Sequence, residues 1–333
     1  MTRNPSPDEI ADLYRDMESG PSTMAVTARR RLCPDLTPLD INLEVRFPER
    51  LRAITVRTAA GRHDGELLVA AGVRCHSRRD TIEVTAEPNV DGHMFCTLVA
   101  DLVYHLIANP TRPTAALVAR IRAWQRMLAA GLATGMSPEA RLGLVGELLV
   151  LHDLVAPACP DIAVQAWIGP TRAPRDFSVD DTAVEVKTVS HREPDRCQIS
   201  NERQLDTDDL GSLYLAHQSI RVSAQHGASL PELVDAARAD PALSGQQVLL
   251  EERLLHAGWL DIHRRQYEQE RYSLAIRRCY LVTDGFPRIT PTSLPIGITG
   301  VSYGLDLAAC QPHFVGEHLV RHALTDAWKR IQP

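Results

Sequence analysis

The sequence predicts an α/β (α+β) chain of two parts: a β-rich N-terminal domain over residues 1–112 and an α/β core over 113–333. Three observations predict it. Short segments of alternating apolar residues crowd residues 41–87. Pro110 and Pro113 punctuate the chain just after them. Around residues 138–200 the order becomes helix, strand, strand, strand.

The elements follow in order. Ser6-Pro7-Asp8-Glu9 forms a capping box with proline at the first helical position, so a helix runs to about Glu18. Gly20-Pro21-Ser22 ends it. Asn42–Phe47 alternates through Leu43, Val45 and Phe47; Ile54–Thr58, Glu66–Val73 and Thr81–Thr85 read the same way. Met94–Ala108 places Leu98, Leu102 and Leu106 on one helical face. Past the prolines, Ala115–Ala130 reads as a helix, and Ser137-Pro138-Glu139 starts another that runs to about Val155. Strands are expected at Ala163–Ile168, Asp176–Val179, Ala183–Val189 and Arg196–Ser200. Tyr214–Ser223 carries mixed signals. Pro231–Arg238 and Gln246–Ala257 read as helices, Arg271–Thr283 and Gly297–Leu307 as strands, and Gly316–Ile331 as a closing amphipathic helix.

Composition narrows the function classes. An apolar share of 44% suits a globular chain with a real core. No apolar run is long enough for a transmembrane helix, and Met1–Glu9 has no signal-peptide core. The seven cysteines are odd in number and form no CxxC pair. They read as reduced thiols of a cytoplasmic protein, not a zinc ribbon or a disulfide framework. A net charge of −6 counts against strong stand-alone binding to a polyanion. There is no G-x-S-x-G elbow, no Walker A motif and no paired-histidine metal spacing. Arg264-Arg265, Arg271, Arg277-Arg278 and Arg288 cluster, but Glu268, Glu270 and Asp284 dilute them into what reads as a solvated face.

Only two of the 36 basic residues are lysines, Lys187 and Lys329. Where an arginine-biased chain keeps a lysine, the position can require a compact ammonium in place of a planar guanidinium. Lys187 ends Glu185-Val186-Lys187, and Asp176 lies nine positions before Glu185. Asp180-Asp181 suits the centre of a tight hairpin. That turn pairs Val179 with Thr182, Ser178 with Ala183, Phe177 with Val184 and Asp176 with Glu185. The two carboxylates then face each other, a destabilising arrangement without a cation. Lys187, on the same face, supplies one charge, and a divalent metal would supply the rest. The bland alternative is a solvated hairpin edge.

Glu147 adds a further carboxylate. Its helical neighbours are Gly143, Leu144, Val150 and Leu151, so an otherwise small or apolar face carries one acid. Buried carboxylates are rare unless paired or metal-bound; the competing reading is a glutamate that snorkels to solvent. Gln204 follows the Arg196–Ser200 strand, and either reaches the site or belongs to a surface turn.

The pattern resembles the PD-(D/E)XK metal-dependent nuclease superfamily, with Pro174-Arg175-Asp176 standing for its "PD" element with one residue inserted. The resemblance extends through Gly143–Leu148, Trp167–Pro170, Arg175–Phe177, Val184–Thr188, Gln198–Ser200 with Gln204-Leu205, Phe286–Ile289 and Gly300–Tyr303. This series is similar to the prokaryotic family known as "PD-(D/E)XK motif protein". It implies a restriction-endonuclease-like core of helix, mixed sheet and helix, acting as a DNA endonuclease subunit. Asp176, Glu185 and the Val186 carbonyl would hold Mg²⁺, with Mn²⁺ as a substitute. Glu147 would bind a second metal or place a water, and Lys187 would orient or deprotonate the attacking water. Gln204 and Arg175 are candidate contacts to site or DNA. The implied partners are DNA and other subunits of a restriction-like defence locus, such as a DNA methyltransferase or a GHKL (MORC-like) ATPase, or a second copy in a homodimer; no membrane is implied. Two other readings stay open: a non-cutting DNA-binding or scaffold subunit that keeps the nuclease fold, and a soluble α/β protein with an accidental hairpin.

Overall fold

The computed structural model describes residues 5–19, 24–33, 40–57, 65–70, 72–78, 80–108, 117–118, 120–122, 124–125, 135–171, 173–191 and 195–332. The chain forms two compact units, Met1–Gly135 with Gly258–His263 and Met136–Ala257 with Arg264–Pro333. The division thus falls after residue 135, not after 112. Residues 117–125, helical where described, belong to the first unit for a visible reason. Arg120 Nε and Nη2 each donate to the Asp101 carboxylate at 2.6 Å, as does Trp124 Nε1. A fully buried aspartate needs these donors.

The described part of the first unit is built on one antiparallel sheet with helices α1 and α2. Helix α1 (Pro7–Glu18) starts with the expected capping box between Ser6 and Glu9. Strands β1 (Thr27–Leu32), β2 (Asp40–Arg46), β3 (Leu51–Arg57), β4 (Gly65–Ala70), β5 (Val73–Arg78) and β6 (Thr81–Ala86) lie in the order β1-β2-β3-β6-β5-β4. The expected strand Glu66–Val73 is divided, because Gly72 turns the chain at φ +77°. Strand β1 escapes an apolar-alternation reading because Arg29, Arg30 and Arg31 are consecutive. Ile41, Leu43, Val45, Ile54, Val56, Ile82 and Val84 form the apolar side. Tyr14 of α1 donates to the Ala53 carbonyl at 2.7 Å, and its ring meets Phe95 of α2 (Gly92–Ala108). The opposite side is polar: buried Glu44 accepts from Arg29 Nη2 (2.6 Å), Arg46 Nη2 (3.1 Å) and Thr55 Oγ1 (3.0 Å).

The second unit holds the chemistry. Helix α3 (Pro138–Val150), capped by Ser137, continues through a π-helical turn, Leu151–Val155. The mixed sheet has the order β11-β12-β10-β8-β7, from β7 (Phe177–Val179), β8 (Thr182–Ser190), β10 (Ser212–Ser223), β11 (Ala228–Ser229) and β12 (Arg271–Leu281). β9 (Arg196–Ile199) leaves this sheet and pairs with β13 (Tyr303–Asp306). β8 and β10 run parallel, which needs the long crossover between them. Buried on both sides, β10 reads as a nearly continuous apolar run from Leu213 to Ala216, which blurred its signal.

Alternation along β8 sends Val184, Val186 and Thr188 to one side and Ala183, Glu185 and Lys187 to the other. The first side packs on α3. A Cβ on Gly146 would lie 2.8 Å from Thr188 Cβ, so only glycine admits this approach. Ala183 belongs to a cluster with Cys197, Ile199, Leu205, Leu213, Leu215, Tyr280 and Leu305, which closes the second side. Helices α4 (Leu230–Ala239), α5 (Gln247–His256) and α6 (Glu317–Ile331) occur where expected, and the pair Phe314–Val315 (β14) joins the free edge of β12. Two expected strands differ. Ala163–Ala166, rich in helix-forming alanine, is a helical turn, with only Trp167 bridging to Phe177. Within Gly297–Leu307 only Tyr303–Asp306 is strand, because Gly297 (φ +91°) and Gly300 (φ +69°) turn the earlier part. Among the described residues, no helix is long and apolar enough to cross a membrane.

Candidate active site

The hairpin forms in the register its sequence suggests. Phe177 pairs with Val184, Ser178 with Ala183 and Val179 with Thr182. Asp180 takes the left-handed conformation (φ +51°) that aspartate tolerates in turns. The ladder stops one pair earlier than the sequence argument drew it. Asp176 instead turns its carbonyl to the amides of Ile168 (2.8 Å) and Gly169 (2.9 Å). Its Oδ2 accepts from the Val186 amide at 2.7 Å. Strand β7 therefore peels away from β8 at Asp176, and the aspartate side chain fills the notch. Gly169 is required beside it, since a Cβ there would lie 3.0 Å from Asp176 Cα.

Glu185, one residue along β8 from this notch, is only 1% exposed. Lys187 Nζ forms an ion pair with Glu185 Oε1 at 2.9 Å. Glu185 Oε2 accepts no hydrogen bond among the described residues. Lys187 Nζ also donates to Gln204 Oε1 at 2.9 Å, and the same oxygen accepts from the Ser200 amide at 2.8 Å. The turn after β9 thus delivers Gln204 to the site and aims the lysine.

Glu147 approaches from α3. Trp167 Nε1 donates to its Oε2 at 2.6 Å, and the indole stacks on Phe177 at 6.5 Å. Trp167 is a site residue that the carboxylate–lysine pattern does not single out; its signal is a lone indole donor beside the turn that holds Asp176. Arg175 does not join the group. Its guanidinium is buried and donates to Asp209 (2.8 and 3.1 Å) and the Asp206 carbonyl (2.6 Å). The arginine cluster downstream is engaged as well. Arg264 pairs with Asp235, Arg271 with Glu232, Arg277 with Asp153 and Glu317, and Arg278 with Asp195.

The electrostatics are those of an acid cluster short of cations. Burial, then the Asp176 charge, pushes Glu147 up to about 8, although Trp167 and Lys187 oppose this. Burial pushes Asp176 up to about 6 against the Val186 amide and Lys187. Burial and Asp176 hold Glu185 well above the carboxylate range. Three carboxylates and one ammonium leave two negative charges uncompensated when all are ionised. Hard oxygen donors with that deficit suit a divalent cation such as Mg²⁺ or Mn²⁺. Glu185 Oε2, buried and without a partner among the described residues, is the atom such an ion would satisfy.

A family model described as "Putative PD-(D/E)XK family member, (DUF4420)" matches residues 10–308. No curated protein and no solved structure matches the chain.

Proposed function

Because the chain belongs to this PD-(D/E)XK family, we propose that it is a metal-dependent DNA endonuclease that hydrolyses phosphodiester bonds. The observation that carries this reading is the buried Glu185 carboxylate, met by the Lys187 ammonium alone among the described residues and grouped with Asp176 and Glu147. Asp176 and Glu185, with the Val186 carbonyl, would hold Mg²⁺; Glu147 would hold a second ion or a water. Bound there, the metal supplies Lewis-acid stabilisation of phosphate charge and activation of water.

The chain's own groups do the rest. Lys187, fixed by Gln204, faces the carboxylates and can orient the attacking water and balance charge developing on the phosphate. Trp167 fixes Oε2 of Glu147, and Oε1 accepts no hydrogen bond among the described residues. Asp176 is held by the Val186 amide through Oδ2, which leaves Oδ1 to a ligand. We place the protein in a restriction-like defence system, in the cytoplasm. Most arginines of the downstream cluster are engaged in ion pairs and the net charge is −6. Partner subunits, such as a DNA methyltransferase or a GHKL ATPase, or a second copy, would therefore deliver DNA.

The test is plasmid nicking by purified protein, alone and with its locus partners. Mg²⁺ or Mn²⁺ should support cutting, EDTA should stop it, and Ca²⁺ should support binding with little cleavage. Lys187→Ala should abolish cutting. Cleavage that persists after exhaustive chelation overturns the reading. The rival, a non-cutting subunit of the same fold, calls for a missing site residue, and Glu147, Asp176, Glu185 and Lys187 are all present.

A further inference from the structure

Residues 290–301 leave the second unit as a loop pinned at both ends. At its start the Ile289 amide donates to Tyr303 Oη at 3.1 Å, and Thr290 and Ser293 bond each other. At its end Glu202 accepts from the amides of Gly300 (3.2 Å) and Val301 (2.9 Å), and Ser302 donates to the Ile199 carbonyl. The tip is a hydrogen-bonded turn in which the Ile298 amide donates to the Pro295 carbonyl at 3.1 Å. Gly297 sits at its third position with φ +91°, as a type II turn requires. Ile296, at the second position, is 106% exposed, and Ile298 is 49% exposed. A built turn thus presents two isoleucines to water, where a loop ordinarily carries polar residues.

The loop is tied to the chemistry. Glu202, its anchor, lies two residues before Gln204, which accepts from Lys187. Arg203, between them, is exposed and holds no salt bridge among the described residues, although Glu202 adjoins it. Resting on the nuclease reading above, we propose that Ile296 and Ile298 form an apolar wedge that enters a base step of duplex DNA held at the carboxylate–lysine site, with Arg203 on a neighbouring phosphate. Apolar wedges of this kind unstack a step and bend the duplex. The apolar tip is two side chains, far fewer than the roughly 20–30 residues per partner of a stable protein interface. A lipid surface would call for a larger apolar area with several basic residues around it.

The test uses the full chain at micromolar concentration in Ca²⁺, with duplexes carrying 2-aminopurine at successive positions. Wild type should raise the fluorescence at one step. Ile296→Ser/Ile298→Ser should lose the rise, and Ile296→Leu should keep it. In Mg²⁺ the double serine variant should cut intact duplex about 10- to 100-fold more slowly, but a duplex mismatched at that step nearly as fast as wild type, because unstacking there is already done. The serine variants should keep the wild-type melting temperature, since both side chains are exposed. The arms separate the two claims. Lys187→Ala should retain the fluorescence rise without cutting; if it cuts, the catalytic reading fails and the wedge stands. Wild-type cleavage with no rise at any position, and equal rates for the serine variants, overturns the wedge and leaves the nuclease. Absence of DNA binding at these concentrations with the partner subunits present also overturns it. So does a serine variant whose only change is in self-association, which would assign the tip to a second copy.

Discussion

Two glycines three residues apart on α3 should respond to alanine in opposite directions. Gly143 has nothing within 4 Å of where a Cβ would lie. Gly143→Ala should therefore gain the helix-propensity difference, about 0.5–1 kcal/mol. Gly146 would place its Cβ 2.8 Å from Thr188 Cβ and 3.0 Å from Thr188 Cγ2, and closer still to Oγ1. Rotating Thr188 can move the γ atoms but not its Cβ, so α3 must retreat from β8. Overpacking of this kind costs about 1–3 kcal/mol, which outweighs the propensity gain. The retreat also strains the bond from Gln218 Nε2 to the Gly146 carbonyl, at 2.8 Å. Glu147 is the next residue, and a displacement of about 1 Å at a reacting site can cost 10²-fold in rate. Urea unfolding of the two variants should differ by about 2 kcal/mol or more, and Gly146→Ala should lose metal-dependent nicking while Gly143→Ala keeps it. If Gly146→Ala matches Gly143→Ala in stability and rate, the close packing of α3 on β8 does not position Glu147.

Glu147 and Asp176 sit at about 8 and about 6, both raised, so the metal-free fold binds more protons than the unfolded chain. Their stabilisation is complete below about pH 4 and is lost as pH rises to about 8. In EDTA the melting temperature should fall over that window, and Glu147→Gln should flatten its upper part; a rising curve would refute this. Lys187→Arg should fold and bind DNA but lose about 10²–10⁴-fold in cleavage, because the guanidinium is larger and stays protonated. Wild-type rates in that variant would reduce Lys187 to a counter-charge. In the first unit, Asp101→Asn leaves buried Arg120 without its carboxylate and should cost about 3–5 kcal/mol in denaturant unfolding. A loss under about 1 kcal/mol would show that water reaches this pair.

Much of the site was legible because it lies on elements with strong local signals. The Asp180-Asp181 turn sets the hairpin register, and register alone puts Glu185 and Lys187 on one side of β8. The acid on the small-residue face of α3 was legible for the same reason, since Gly146 marks a close approach. What escaped depends on contacts between distant segments. The end of the β7 ladder at Asp176 is decided by the Ile168 and Gly169 amides, which no pattern within the hairpin reveals. Arg175 is a candidate contact to site or DNA in the sequence, but its partners come from the loop at 206–209. The unit boundary lies beyond the Pro110–Pro113 punctuation because Arg120 and Trp124 bond the buried Asp101 carboxylate of α2, a contact no local pattern reveals.

Trp167 also carries an optical consequence. Its indole Nε1–H is 2.6 Å from a carboxylate that changes charge near neutrality and belongs to the proposed ion site. The emission of an indole depends on the charge beside its N–H. The light from this one side chain therefore reports whether Glu147 is protonated, ionised or shared with a cation. The side chain that steadies the glutamate doubles as a built-in gauge of the site, readable on the unlabelled protein once the signals of Trp124, Trp259 and Trp328 are subtracted.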